Sequence, residues 1–395
     1  MTGIRDMHRS SPTQKPRARF SPIFQIRIGL LLLLIAAVLA PETLLGQEPP
    51  IQLDSRTKDE LRMLTPKEMP EEEKTEKDLS TITLYLENDV FVGQDMEYTN
   101  GLKLTWSSPV HKDYPPKAIP HRWLYPIIKK LPFKHDAQTR NNITYSIGQN
   151  IYTPEDIDKE ELIEDDRPYA GITYVSIGFH NRRLKHMDTV EMHLGIVGPE
   201  SYAEECQEAV HSMFNDEDPE GWDNQLDNEA VLGVVYSHKK KIFESGIGRG
   251  LGYDGIINTG GALGNAMTFY NLGFTLRFGW NMPNDFGNFP IRPASAFNAA
   301  FDARDPRLTT DRCFGAHMFF SVNGKAVLRD IFLDGNTFSD SHDVDKEPLV
   351  ADYIAGLGFI MGRAKLCMAY VVRTEQFEEQ DDAQEFGSIN LSYSF

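Results

Sequence analysis

Carboxylate, amide and hydroxyl side chains cluster where an alternating segment near residue 87 ends. The run Glu87-Asn88-Asp89 is followed by Thr99. Such oxygen ligands suit Ca²⁺ better than a transition metal. The twelve-residue spacing of an EF-hand loop is absent, so a polar hairpin with Asx turns is the alternative reading of this cluster.

A histidine stands on the clearest helical pattern of the chain, Ser201–Met213. Gln207 and His211 are i, i+4 neighbours there, and Glu217 follows in an acidic run. The helix is expected to have an apolar side formed by Tyr202, Cys206, Ala209, Val210 and Met213. A neutral histidine beside carboxylates can act as a general base, although a solvated or structural ring is the alternative for any single histidine.

Sequence motifs of several other enzyme classes are missing. The chain contains no G-x-S-x-G, no H-E-x-x-H and no phosphate-binding G-x-x-x-x-G-K. A covalent serine mechanism is therefore disfavoured. Water activated by histidine beside a metal ion is the chemistry that these residues could support.

Length and composition describe a folded, acidic protein. The 395 residues are 41% hydrophobic and carry a formal charge of -18. This excludes a disordered chain and disfavours nonspecific nucleic-acid binding, which needs a basic surface. The three cysteines, Cys206, Cys313 and Cys367, lack C-x-x-C spacing, so neither a zinc site nor a disulfide framework is indicated.

The first 80 residues are expected to lie outside the folded domain. A basic region before residue 28 and the apolar run Ile28 to Ala40 predict a signal peptide over residues 1–46, with an uncleaved anchor as the alternative. Residues 47–80 are rich in proline and charge, which indicates a linker or N-terminal extension. The folded domain is predicted to cover residues 81–395.

From Thr81 onward, apolar and polar residues alternate with a period of two, which is typical of strands with one apolar face. About 12 to 14 strands are predicted. The segments are Thr81–Glu87, Gly101–Ser107, Asn142–Gln149, Gly171–His180, Val190–Val197, Ala230–Ser237, Lys241–Gly248, Tyr270–Phe278, Ala316–Val322, Lys325–Phe332, Asp352–Met361, Ala364–Val372 and Ser388–Phe395.

A soluble sandwich or barrel with an apolar interior and a membrane barrel with an apolar exterior both accommodate this many strands. No run of 18 apolar residues is present, so a membrane span would have to be made of strands. The last strand ends in Tyr393-Ser394-Phe395 and resembles the terminal strand of outer-membrane barrels. An all-β, antiparallel transmembrane barrel in the outer membrane is the favoured fold.

Several further motifs occur in one order along the chain. They are Glu87-Asn88-Asp89, Tyr98-Thr99-Asn100-Gly101, Gln149-Asn150-Ile151-Tyr152-Thr153-Pro154, Asp166-Arg167-Pro168-Tyr169-Ala170-Gly171, Gly195-Ile196-Val197-Gly198-Pro199, Gln207 to His211, Gly221-Trp222-Asp223-Asn224-Gln225 and Gly279-Trp280-Asn281. With these runs, the chain resembles the outer-membrane lipid A 3'-O-deacylase family from about residue 80 to its end.

The resemblance implies a twelve-stranded barrel with a short active-site helix in an extracellular loop. It also implies Ca²⁺-dependent hydrolysis of the 3'-linked acyloxyacyl ester of lipid A within lipopolysaccharide. By the same resemblance His211 is the general base, and Asn88, Asp89, Thr99 and Glu217 complete the catalytic set. The metal ligands among them are Asn88, Asp89 and Glu217, while Gln207 and Lys159 contact the substrate.

Two other functions remain open at this level. One is a non-catalytic porin or structural barrel, and the other is a barrel phospholipase. No obligate protein partner is expected beyond lipid A and the surrounding outer-membrane lipid. The lysine-bearing insert Val110 to Arg140 is expected to be a solvated excursion, with contact to lipid A phosphates as the alternative.

Overall fold

The computed structural model describes residues 79–89, 100–112, 114, 125–131, 133, 139–214, 219–287, 290–291, 297–300, 304–309 and 314–395. The predicted signal peptide and nearly all of the predicted linker lie outside these residues. Among the described residues, no helix is both long and apolar enough to cross a membrane.

Twelve antiparallel strands form one closed barrel in which each strand pairs with its neighbours in sequence and β1 pairs with β12. The strands are β1 Thr81–Asn88, β2 Asn100–Ser107, β3 Arg140–Tyr152, β4 Ala170–Arg183, β5 His186–Val197, β6 Glu229–Gly248, β7 Leu251–Gly264, β8 Met267–Trp280, β9 Phe314–Asp330, β10 Leu349–Met361, β11 Ala364–Arg373 and β12 Gln384–Ser394. Three short helices are α1 Tyr125–Ile128, α2 Ala203–Phe214 and α3 Ile331–Asp334.

The barrel is apolar outside and polar inside. In β8, Leu272 and Phe274 are exposed on the outer face, whereas Thr275 and Arg277 are each 1% exposed in the lumen. The same alternation runs along β2, where Leu102, Leu104 and Trp106 are exposed and Lys103 is buried. An apolar exterior of this kind suits lipid, so the membrane-barrel prediction is confirmed and the soluble alternative is wrong.

Several predicted strand boundaries are wrong. β6 runs unbroken through Ala230–Ser237 and Lys241–Gly248, and β9 likewise joins two predicted segments. The alternation also fails to predict β7, because glycines interrupt its hydrophobic pattern. These glycines are required by close packing: a Cβ on Gly260 would lie 2.3 Å from the carbonyl oxygen of Tyr236 on the neighbouring strand.

The two ends of the barrel differ in their connections. At the end that includes Thr81 and Ser394, β4–β5, β6–β7 and β10–β11 are each joined by a two-residue turn. We call this the turn end. The opposite end, the loop end, carries the long β3–β4, β5–β6 and β9–β10 connections and α2.

The chain between β8 and β9 enters the lumen from the turn end. Asp285 and Phe297 are buried there, and the backbone N–H of Ile291 donates a hydrogen bond to Glu87, near the loop end of β1. Asp285 accepts hydrogen bonds from Arg277 and Lys365. Burial alone would raise the pKa of Asp285, but Lys365, Arg277 and Arg307 lower it well below its usual value. The lumen is therefore occupied by a segment that is tied to the wall by ion pairs.

Candidate functional site

The helix α2 is docked on the lipid-facing side of the barrel wall, at the loop end. Gly171 lies on the outer face of β4, and a Cβ there would lie 2.0 Å from the Cβ of Ala203 and 2.5 Å from Oγ of Ser201. Only glycine leaves room for the start of the helix at this point. The backbone N–H of Gly198 also donates to the carbonyl of Gly171, at 3.1 Å.

Two outward-facing polar side chains hold the chain just before α2. Gln149 of β3 donates through Nε2 to the carbonyl oxygen of Ser201 at 2.8 Å, and the hydroxyl of Thr173 of β4 donates to the same oxygen at 2.7 Å. Both side chains would otherwise face lipid, where an unpaired polar group is costly. The contact therefore pairs the wall and the loop and fixes where α2 begins.

A small hydrophobic cluster on the outer wall supports the first two turns of α2. It comprises Ile151, Tyr169, Ala203 and Trp222, with Cys206 packed against it. The rings of Tyr169 and Trp222 are 5.1 Å apart. Burial raises the pKa of Tyr169 to about 12, with smaller contributions from nearby aspartates. Residues of the β3–β4 and β5–β6 loops thus pack together beside the start of the helix.

The polar side of α2, and not its apolar side, faces inward. Ala203, Gln207 and His211, spaced four residues apart, are 1%, 2% and 6% exposed. On the side described above as apolar, Tyr202 is 67% exposed and Ala209 is exposed, whereas Cys206 packs against the inward cluster. A helix beside lipid can direct apolar residues outward and keep its polar pair against the wall.

Gln207 has one amide atom paired and one unpaired. The indole N–H of Trp222 donates to Oε1 of Gln207 at 2.9 Å. The Nε2 atom of Gln207 is buried and has no hydrogen-bond partner in the described part of the chain. A buried donor without a partner is rare and indicates a place where a ligand or water binds.

Asn88 lies on the same outer face as the start of α2. The pairs Asn88↔Asn100, Asn100↔Ile151 and Ile151↔Gly171 form one row across β1 to β4. Directly paired residues of antiparallel strands project to the same face. With strands about 4.8 Å apart, Asn88 and Gly171 are separated by about 14 Å along this row.

Helix α2 runs along the outer wall in the direction of this row, from β4 towards β1. The 3-10 turn Pro199–Ser201 contacts β4 and β5, whereas α2 contacts β4 and β3, so the chain advances across the wall in the direction of β1. His211 follows Ala203 by eight residues, a rise of about 12 Å along the helix. That length is close to the span between Gly171 and Asn88.

The other predicted site residues are placed in different ways. Asp89, directly after β1, is fully buried at the loop end. Thr99 and Glu217 lie outside the described residues. Lys159 belongs to the β3–β4 loop at the loop end, where its ammonium group is 3.2 Å from Asp156 and its side chain is 55% exposed.

The supporting residues Gln149, Gly171, Thr173 and Trp222 are the ones that sequence reasoning did not assign. Three of them belong to motif runs noted above, and the fourth, Thr173, follows such a run by two residues. Their spacing indicates no role, because their common function is to join β3, β4 and the α2 loop. Strand pairing brings Gln149, Gly171 and Thr173 together, and loop packing adds Trp222.

The residues at the loop end of β1 include donor types that suit Ca²⁺. Asn88 and Asp89 offer an amide and a carboxylate oxygen at the loop end of β1, which is the donor chemistry that Ca²⁺ prefers. Within the described ranges, no group of three or more His, Cys, Asp or Glu side chains is close enough to hold a metal. The donor types fit calcium, and completing the site requires further oxygens.

Two of the three cysteines lie in the described part of the chain. Cys206 is half-buried on α2 and Cys367 is buried on β11, and neither forms a disulfide. Burial raises the pKa of the Cys206 thiol, which disfavours the reactive thiolate. Cys313 lies outside the described residues.

Comparison with known proteins identifies one matching protein family and several solved barrel structures with a similar fold. The model of the family described as Outer membrane protein LpxR matches residues 50–395. Among solved structures, the chain is similar to LpxR from Salmonella typhimurium, with a TM-score of 0.63 and 16% sequence identity over 80% of this chain and 100% of that chain. At this identity, the likeness shows a shared fold.

Two autotransporter barrels are more distant. The beta domain of the Bordetella autotransporter BrkA has a TM-score of 0.39 and 7% identity, covering 80% of this chain and 98% of that one. The translocator domain of NalP from Neisseria meningitidis has a TM-score of 0.36 and 9% identity, covering 82% and 90%. Neither likeness carries an argument about function. No curated protein sequence matches the chain significantly.

Proposed function

The chain belongs to the LpxR family of outer membrane proteins, and on this premise we propose that it is a lipid A deacylase that hydrolyses the 3'-linked acyloxyacyl ester with the help of Ca²⁺. In such barrels the tight turns face the periplasm. The three two-residue turns therefore assign the turn end, which also carries the long β2–β3 and β8–β9 connections, to the periplasm and the loop end to the exterior. Lipid A occupies the outer leaflet at that level. Substrate and helix α2 are then on the same side of the wall.

The observation that carries the proposal is the buried stripe of α2, with Gln207 and His211 facing inward from the lipid side. The acyl chain of a lipid substrate can stay in the membrane while its ester enters between α2 and the wall. Keeping the chain in lipid avoids the cost of exposing apolar surface to water.

In this proposal His211 acts as a general base. Its ring accepts a proton from a water molecule, whose oxygen attacks the ester carbonyl carbon. The bond to the 3' oxygen then breaks, and the proton returns from His211 to that leaving oxygen. The products are a free acyloxyacyl acid and a 3'-hydroxyl on lipid A, so the atoms balance.

Charge develops on the carbonyl oxygen during the attack. The unpaired Nε2 of Gln207 is a donor suited to that oxygen, since it is buried and held in orientation through Trp222. Asn88, Asp89 and Glu217 would hold the calcium ion, which supplies further neutralisation of the same charge. In this proposal Thr99 completes the polar set, and Lys159 contacts a phosphate of the substrate.

The porin alternative is less well supported. The segment between β8 and β9 occupies the lumen and is held by Asp285, Arg277 and Lys365. A filled lumen with buried ion pairs is poorly suited to diffusion. The phospholipase alternative uses the same water chemistry and differs only in its substrate.

The test compares lipids from cells that express the wild type, His211→Ala or Ser212→Ala. Ser212 is the matched control, because it is exposed on the same helix. We expect lipid A to lose the mass of one acyloxyacyl group with the wild type and Ser212→Ala, and to remain intact with His211→Ala. Glycerophospholipids are measured in the same samples.

Each alternative predicts another result. Lysophospholipids with unchanged lipid A would favour the phospholipase. Unchanged lipids of both classes, with a folded barrel, would overturn the proposed hydrolase and favour a structural barrel.

A further inference from the structure

The insert between β2 and β3 covers part of the lipid-facing wall at the turn end. Ile143, Phe179 and Val190 form one paired row on the outer face and are 0%, 0% and 8% exposed. Tyr114, Ile128 and Phe133 of the insert pack against this row. For its described residues, the expectation that the insert is a solvated excursion is therefore wrong: Tyr114, Ile128 and Phe133 are docked on the barrel.

A second row of residues on the same face is exposed, in contrast to the row that the insert buries. Ile147, Val175 and Leu194 are paired across the same three strands, four residues nearer the loop end, and are 54%, 50% and 60% exposed. Four residues correspond to about 13 Å along a strand. The exposed row faces lipid, so the insert lies at the turn-end margin of the lipid-facing band.

Specific contacts fix the insert at this level. The hydroxyl of Tyr114 donates to the carbonyl oxygen of His180 at 2.6 Å, and its ring meets Phe179 edge-on at 5.9 Å. Asn141 of β3 donates through Nδ2 to the carbonyl of Lys112 at 2.7 Å. Lys112 is thereby held beside the first residues of β3.

Exposed lysines surround this docked insert. Lys112 and Lys130 belong to the insert, Lys185 to the β4–β5 turn and Lys240 to the outer face of β6, and all four are exposed. Lys185 and Lys240 are adjacent, since Lys240 pairs with His186 and the N–H of Lys241 donates to the carbonyl of Lys185. We call these four residues the basic belt.

Among the described residues, the acidic side chain on the outer face beside the belt is paired with basic groups. Asp188, on the outer face of β5, is 3.4 Å from Arg183 and 2.7 Å from His238. The belt is therefore positive although the whole chain carries a formal charge of -18.

We propose that the basic belt binds anionic glycerophospholipid head groups, of the phosphatidylglycerol type, in the periplasmic leaflet. The docked insert places Lys112 and Lys130 at the margin of the lipid-facing band, and Lys185 and Lys240 lie at the same end of the barrel wall. Phosphate groups of that leaflet lie at this level. Basic residues at an anionic membrane surface gain about 1 kcal/mol each, which corresponds to roughly fivefold in binding. The surface is at the opposite end from the deacylation site and is independent of it.

The experiment places the purified full-length barrel in nanodiscs that contain phosphatidylglycerol, phosphatidylethanolamine and phosphatidylcholine. Lipids that remain bound after release are counted by native mass spectrometry. We expect the wild type to retain phosphatidylglycerol selectively. Changing Lys130 and Lys185 together to Gln is expected to weaken that enrichment by about twenty-fivefold, at about fivefold for each lysine.

The matched control changes the same two lysines to Arg, which keeps the charge and is expected to keep the enrichment. Folding of each variant is checked by its heat-dependent mobility on gels. Inorganic phosphate is added as a competitor. It is expected to displace the ligand from a simple phosphate site but not from a site that binds the lipid head group. Equal retention of all three lipids by the wild type, emptying by phosphate, or unchanged enrichment in the Gln variant would overturn the proposal.

Discussion

Trp222 donates its indole N–H to the side-chain oxygen of Gln207 at 2.9 Å, and this bond fixes which end of the amide is free. The oxygen is satisfied, so Nε2 remains as a buried donor beside the outer wall. The indole has only a donor, which assigns the orientation of the amide without ambiguity. Trp222, in the loop, thus orients the amide of Gln207 so that its Nε2 atom is the group left to bind an oxygen atom.

This relationship predicts unequal effects of two substitutions on deacylation. Gln207→Ala removes the donor and is expected to lower kcat by about a hundredfold to a thousandfold, as for other oxyanion donors. Trp222→Phe removes only the bond that orients it, and a neutral hydrogen bond contributes about 1 kcal/mol, so roughly a tenfold loss or less is expected. Single-turnover rates on purified lipid A measure both. A larger loss for Trp222→Phe than for Gln207→Ala would contradict this assignment.

Gly171 packs closely against Ala203. Adding one methyl group at residue 171 is therefore expected to reduce deacylation while the barrel still folds. Gly171→Ala would bring two Cβ atoms within 2.0 Å, so α2 must move away from the wall. A displacement of about 1 Å can cost a hundredfold in rate. Gly324→Ala is the control, because the nearest atom to its Cβ is 3.9 Å away. We expect both variants to fold, by heat-dependent gel mobility, and only Gly171→Ala to lose deacylation.

The proposed calcium dependence gives a prediction for the end of β1. Excess chelator is expected to abolish deacylation, and added Ca²⁺ to restore it. Asp89→Asn removes a charged ligand and is expected to raise the Ca²⁺ concentration needed for half-maximal rate, since affinity follows ligand charge. Asp223→Asn, an exposed change in the α2 loop, is the control. Full activity in chelator with no residual metal would exclude a role for the ion.

The buried charge cluster in the lumen predicts how acid affects stability. The pKa of Asp285 is lowered well below its usual value in the folded barrel, despite a burial effect that raises it. Its stabilising contribution is therefore complete above the unfolded pKa of about 3.9 and is lost as pH falls through the lower folded pKa. Urea unfolding of the wild type should show this loss only in strong acid.

Asp285→Asn removes one partner of Arg277, Arg307 and Lys365, and breaking such a cluster costs about 3–5 kcal/mol. The variant is expected to be destabilised at neutral pH and to lose the acid dependence that Asp285 contributes. Asp340→Asn, an exposed change in the β9–β10 connection, is the control. Equal stability of the Asp285 variant and the wild type would show that the cluster does not hold the lumenal segment.

Local patterns predicted most of the barrel correctly. A period of two in hydrophobicity depends on neighbouring residues only, so it identified the strands with strong alternation, such as β8 and β12. It failed for β7, where glycines required by contact with β6 replace apolar residues. The pattern on α2 left open which side of the helix faces inward, because the sequence does not report whether water, lipid or a barrel wall lies beside a helix.

Alternation and ordered motifs are properties of the chain alone, so the class of fold, the family and the residue types at the site could be read from the amino acids. The folded barrel was needed to show that Gln207 and His211 face inward from the lipid side, that Asn88 shares an outer row with Gly171, and that Tyr114, Ile128 and Phe133 of the insert cover the wall. These relations join residues far apart in the chain. They arise from strand register and barrel closure, which set the face and level of every side chain at once.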